Sequence, residues 1–131
     1  MRAVAILCVL GCTFNVASAA EIMPHAVDPT LYSATSTALH RFMEYRICSP
    51  EHCWSSAFLQ WLDPASVPRK ITETVKVTEL QYGTGVESAE WVWVDEQPQL
   101  EVAVVPSHGG FEPYTLIILP GPPGEYSVTR R

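Results

Sequence analysis

The hydrophobic rhythm of the chain changes near Pro68. Before it, apolar residues recur at spacings of three and four, the period of a helix with one buried face. Leu31, Ala34, Ala38, Leu39, Phe42, Met43, Tyr45 and Ile47 mostly follow that spacing, with His40, Arg41, Glu44 and Arg46 between them. Asp28-Pro29 ahead of them supplies a capping carboxylate and a proline at the first helical position. The pattern predicts a helix over residues 29–47, weakest in the Ser- and Thr-rich run 33–37, where helix propensity is poor. Ser49-Pro50-Glu51 repeats the start signal, Trp54, Ala57, Phe58, Trp61 and Leu62 keep helical spacing, and Asp63-Pro64 ends it. A second helix is expected over residues 50–62.

Beyond Pro68 the period falls to two. Ile71, Val75 and Val77 alternate with Thr72, Thr74, Lys76 and Thr78, as in a strand with one wet face. Residues 81–88, with Gly83-Thr84-Gly85, read as a loop, and strands are expected over 90–94, 100–105, 114–119 and, more weakly, 126–130. The run 90–105 reads as a hairpin at the centre of an antiparallel sheet, with everything upstream as its cover. Helices and strands in separate blocks define an α+β fold: a helical pair on one face of a four- to five-stranded antiparallel meander. By element order alone, with no motif behind it, this resembles cone-shaped cystatin-like or nuclear-transport-factor-like domains, a resemblance that does not fix function.

The N-terminus adds a compartment. Met1-Arg2, the apolar stretch 3–10 and Ala17-Ser18-Ala19 have the form of a secretory signal peptide over residues 1–19, which leaves residues 20–131 as one domain. A lipoprotein signal is the alternative, since Val9-Leu10-Gly11-Cys12 loosely resembles a lipobox; no membrane attachment is expected unless Cys12 is lipidated. Cys8 and Cys12 leave with the signal, and Cys48 and Cys53, on either side of the helix corner, are expected to form a disulfide in a periplasmic or extracellular setting. With 14 acidic against 8 basic residues and a net charge of −6, the chain lacks the clustered cations that nucleic-acid binding needs.

Candidate chemistry is sparse. Ser107-His108-Gly109-Gly110 resembles an esterase oxyanion segment but has no Gly-x-Ser-x-Gly turn to serve. Cys48, His52 and Cys53 have metal-ligand character, yet a structural zinc site needs a fourth ligand, so no metal and no cofactor are expected. No Ser or Thr sits in an activated context, and no catalytic set is assigned. Two functional expectations remain. The first is binding to another envelope or secreted protein, as an inhibitor, immunity factor or accessory subunit, or to a second copy of the chain. Its surface would be the sheet face turned from the helices, because several strands are apolar on both faces: Trp91, Val92, Trp93, Val94, Ala103, Val105, Leu116, Ile117, Ile118 and Leu119. The alternative is a small-ligand or enzymatic pocket between helices and sheet, with His40 or His52 as its polar group.

Overall fold

The computed structural model describes residues 30–80, 83–107 and 110–131. Among these there is no helix, and the α+β expectation is overturned: the chain forms two four-stranded antiparallel meanders packed face to face. The first sheet is β1 (Leu31–Ser36), β2 (His40–Cys48), β3 (Cys53–Leu62) and β4 (Ile71–Lys76) in that spatial order. The second is β5 (Thr84–Val94), β6 (Gln97–Pro106), β7 (Tyr114–Pro120) and β8 (Tyr126–Arg130). The cone-shaped resemblance falls with the helices. The signal peptide, Cys12 and His108 lie outside the described residues.

Both expected helices are strands because the first sheet is apolar on both faces. In β3, Ala57, Leu59 and Trp61 enter the core while Trp54, Phe58 and Leu62 lie on the outer face. Two interleaved sets of period two then place apolar residues three and four apart, which imitates a helical stripe. In β2 the imitation is stronger, because the inward set is His40, Phe42 and Glu44, so two polar residues occupy core positions. β-Branched and aromatic side chains, together with the Ser- and Thr-rich stretch, suit a pleated surface better than a helix.

The second sheet follows the alternation more closely, with two corrections. Residues 84–88, expected as loop, begin β5, where a bulge between Val86 and Ser88 shifts the register. The hairpin of β5 and β6 is present, but β5 is the edge of its sheet and not the centre. Asp95 and Glu96 join the two strands with φ of 48° and 64°, both in the left-handed region, as in a mirror-image turn whose twist matches that of a hairpin.

Between the sheets, Phe42, Leu59, Trp61 and Val77 pack with Val86, Leu100, Val102, Val104, Leu116 and Ile118. Val75 and Val77 share a core with Leu100, Val102 and Val104 from opposing sheets and with no helical cover, whereas Ile71 of the same strand is exposed. β5 lies over β1 and β3. At the other flank, the Tyr126 hydroxyl of β8 donates to Glu79 Oε2 at 2.7 Å just past β4. Burial first, then that bond, raises the Tyr126 pKa above its usual value.

The disulfide forms as expected between Cys48 and Cys53, with Cα atoms 4.0 Å apart. It closes the β2–β3 hairpin, where the two residues are direct cross-strand partners, and not a helix corner. The turn it encloses is held by Ser49 N–H donating to His52 O at 2.7 Å and His52 N–H donating to Ser49 Oγ at 3.2 Å.

Candidate functional site

Meander topology sorts the connections. The β1–β2, β3–β4, β5–β6 and β7–β8 turns gather at one end of the sandwich, and the disulfide turn, the β4–β5 crossover and the β6–β7 loop lie at the other. At the first end the turns are tied to one another. Arg69 Nη1 of the β3–β4 loop donates to Thr37 O of the β1–β2 turn at 3.4 Å, and Trp61 Nε1 of β3 donates to Gly121 O of the β7–β8 turn at 3.0 Å. Thr37 Oγ1 accepts from the Leu39 and His40 amides at 3.2 and 3.0 Å. In the β3–β4 loop, Asp63 Oδ1 accepts from Ala65 N–H at 2.9 Å and Ser66 Oγ accepts from Lys70 N–H at 2.7 Å. Gly124, with φ of 89°, supplies the left-handed residue of the β7–β8 turn, and its missing Cβ leaves room for Glu73, whose Cγ would lie 3.3 Å from such an atom. Such ties hold the loop ends in one arrangement, and loops on a rigid scaffold are where binding residues concentrate.

Exposure concentrates here as well. Ten large apolar side chains among the described residues are exposed, and six of them, Leu39, Val67, Ile71, Trp93, Val94 and Leu119, lie at or within two residues of these four turns. Val67 is 96% and Trp93 65% exposed. At this end, with Leu39 in its wall, opens a cleft of about 510 Å³ lined by Leu39, His40, Trp61, Leu62, Thr72, Gln97, Pro98, Pro120, Gly121 and Pro123.

The cleft has an aromatic floor. His40, 7% exposed, stacks on Trp91 at 5.9 Å with ring planes 25° apart and meets Trp61 edge-on at 6.1 Å and 83°. His40 Nδ1 and Trp91 Nε1 are both buried with no hydrogen-bond partner. Burial without a partner disfavours the imidazolium, so the His40 pKa lies below its usual value and the ring is neutral. No lining residue is charged, so the cleft favours neutral, flat or apolar groups over ions.

The expected site residues are divided by this arrangement. Of the two pocket histidines, His40 lines the cleft, whereas His52 is half-exposed in the disulfide turn at the opposite end, with Nε2 3.7 Å from Glu51 Oε2. Of the expected binding surface, Leu116 and Ile118 are core and Trp91 faces inward against His40. Val92, Ala103, Val105 and Ile117 alternate onto the outer face of the second sheet, half-buried, and Leu119 and Val94 lie exposed on that face beside the turns. Trp93 continues the inward phase of Trp91 but stands clear of the first sheet, which leaves it exposed. The outer face of the first sheet, which the helical reading hid, carries Met43, Tyr45 and Phe58, with Arg41 Nε and Nη2 donating to Gln60 Oε1 at 2.8 and 2.6 Å beside them. Leu39 reads in the sequence as part of a helix's apolar stripe, and Val67 and the three prolines of the cleft were not singled out by the sequence. Their only signal was that apolar residues stood in turns, where solvated residues are the rule.

A second cleft, about 470 Å³, lies toward the other end between Glu79, Thr84, Phe111, Tyr114, Leu116, Val128 and Arg130. Its only described cation, Arg130, is occupied over the Tyr114 ring at 3.8 Å. Among the described residues no group of three or more His, Cys, Asp or Glu is placed to hold a metal ion. The chain matches no protein-family model, no curated protein and no solved structure.

Proposed function

We propose that this protein is an exported binding module that engages another protein through the four-turn end of its sandwich. The observation that carries the reading is that six of the ten exposed large apolar side chains among the described residues lie at one end of the sandwich, on or beside turns held by hydrogen bonds. Exposed apolar side chains scattered singly need no explanation, but a cluster on a held framework lowers the cost of ordering on association. The form of the N-terminal sequence and the Cys48–Cys53 bond support export.

A photo-crosslinking residue placed in turn at Val67, Trp93, Tyr32 and Phe111 tests this in the exported protein. One saturable adduct is expected from Val67 and Trp93, competed by an excess of the unmodified protein. Adducts of equal yield from Tyr32 or Phe111, or none from the four-turn end, would overturn it. An adduct of twice the chain mass identifies the partner as a second copy.

A further inference from the structure

We infer that the cleft between the four turns is an anchor pocket for a neutral aromatic side chain carried on a basic segment of the partner. The inference rests on the binding reading above and gives the partner a chemistry.

The pocket argument comes from the walls. Trp61 and the neutral His40, both nearly buried, line the floor, while Pro98, Pro120 and Pro123 present flat C–H surfaces, with Leu39 and Leu62 closing the sides. Aromatic rings pack favourably edge-to-face or offset against such surfaces. Trp61 is fixed by its bond to Gly121 O, and Thr72 Oγ1 donates to Trp61 O at 3.2 Å, so these walls are set before anything enters. The volume, about 510 Å³, falls within the range of small-molecule sites of about 300–1,000 Å³ and exceeds what one methyl-bearing side chain fills. A charged group entering would find no counter-ion among the lining residues.

The segment argument comes from the rim. Glu73, Asp95, Glu96 and Glu125 stand exposed on β4 and on the β5–β6 and β7–β8 turns. The cations at this end are Arg41, Arg69 and Lys70; Arg41 is engaged with Gln60 Oε1 and Arg69 with Thr37 O, and with Asp63 the acidic groups outnumber them five to three. A neutral pocket inside a net acidic rim complements an aromatic residue flanked by Lys or Arg, which the rim would steer electrostatically while the pocket anchors it. A free aromatic metabolite would use the pocket without the rim, and this distinguishes the two sources.

The test uses the oxidised protein and three probes: N-acetyltryptophanamide, a Lys-Lys-Trp-Lys-Lys peptide with blocked ends, and the same peptide with Leu for Trp. Binding is read by NMR at the Trp61 indole and by calorimetry at two salt concentrations. The tryptophan peptide is expected to bind at least about tenfold tighter than either other probe at low salt, and its advantage over the amide should shrink as salt screens the rim. Thr72→Phe and, separately, Gln97→Phe fill the mouth and should each weaken the peptide about tenfold, with the unfolding midpoint confirming that the fold is kept. Equal binding of the amide and the peptide, no loss in either filled variant, or no saturable shift at Trp61 would each overturn the pocket. If Trp93 crosslinks a partner while the probes leave Trp61 unmoved, the anchor pocket fails and the four-turn interface stands.

Discussion

Two polar side chains on β2 point into the same core on either side of Phe42, and their fates are opposite. Glu44, 1% exposed, is satisfied: Ser33 Oγ donates to Oε2 at 2.9 Å, Ser55 Oγ to Oε1 at 2.5 Å, and Arg46 Nη2 to Oε1 at 3.4 Å. Ser55 Oγ in turn accepts from Val86 N–H of the second sheet at 3.2 Å, so one carboxylate organises β1, β2, β3 and β5. Arg46 also lies over the Tyr32 ring at 3.4 Å. His40, nearly as buried, has an orphaned Nδ1 beside the orphaned indole N–H of Trp91. A buried polar group is kept either because its bonds build the fold or because the site is used, and each unmade bond calls for an account. The disulfide end, with a closed polar network, is the structural end. The four-turn end, where His40 Nδ1 and Trp91 Nε1 lack partners, is the one proposed to bind.

The largest expected effect tests the first half of that contrast. Glu44→Ala strips an acceptor from two serines and an arginine inside the core and should destabilise the protein by about 3–5 kcal/mol, the range for breaking a buried charged network. A shift in the urea midpoint corresponding to less than about 1 kcal/mol would show that the network does not hold the sheets. Reducing the Cys48–Cys53 bond, which closes a loop of sequence separation 5, should cost about 2 kcal/mol by the chain-entropy estimate. Beyond that global loss, local opening in amide exchange should increase only at the turn residues 48–53. An increase at Trp61 or Trp91 larger than the global change would mean that the two ends are not independent.

The smallest effect is expected at His40. Replacing it with Phe keeps a ring against Trp61 and Trp91 and removes a polar atom with no partner, so stability at pH 7.5 should stay within about 1 kcal/mol of the native value or rise. The pH dependence sharpens this. Burial depresses the folded-state pKa of His40 below 6.5, so the unfolded chain takes up its proton first as pH falls. The native protein should therefore hold its full stability above about pH 6.5 and lose part of it as pH falls toward the depressed value. His40→Phe should remove that part of the loss. Identical pH profiles for the two proteins would show that His40 does not titrate from a neutral buried state.

Much of the second half of the chain was legible. Alternation in 71–77 and 100–105 requires only that one face of a strand be drier than the other, the apolar run 114–119 is bounded by prolines, and Gly, Pro and the Asp95-Glu96 break mark where the strands turn. The first half misled because Trp54 and Phe58 on one face of β3 and Ala57 and Trp61 on the other sum to a helical spacing. His40 and Glu44 looked like the polar face of a helix because residue type reports cost of burial, and the network that offsets the cost for Glu44 comes from Ser33 and Ser55 on neighbouring strands. The candidate site was less legible than the fold. Trp93 and His40 were singled out, but for a sheet face and for a pocket beneath helices.

What the sequence determined alone is local: the period-two strands after Pro68, the turns at its breakers, and the pairing of two cysteines close enough in the chain to meet in any compact fold. What only the tertiary structure decided is pairing between distant segments. That β1 to β3 are strands follows from edges that hydrogen-bond to neighbours along the chain, and from a second sheet that buries their inner face. That Leu39, Val67 and Trp93 stand exposed at the same end follows from two meanders stacking with four turns at one end. Spacing along one segment cannot encode either result, because side-chain burial is set by what packs across from it.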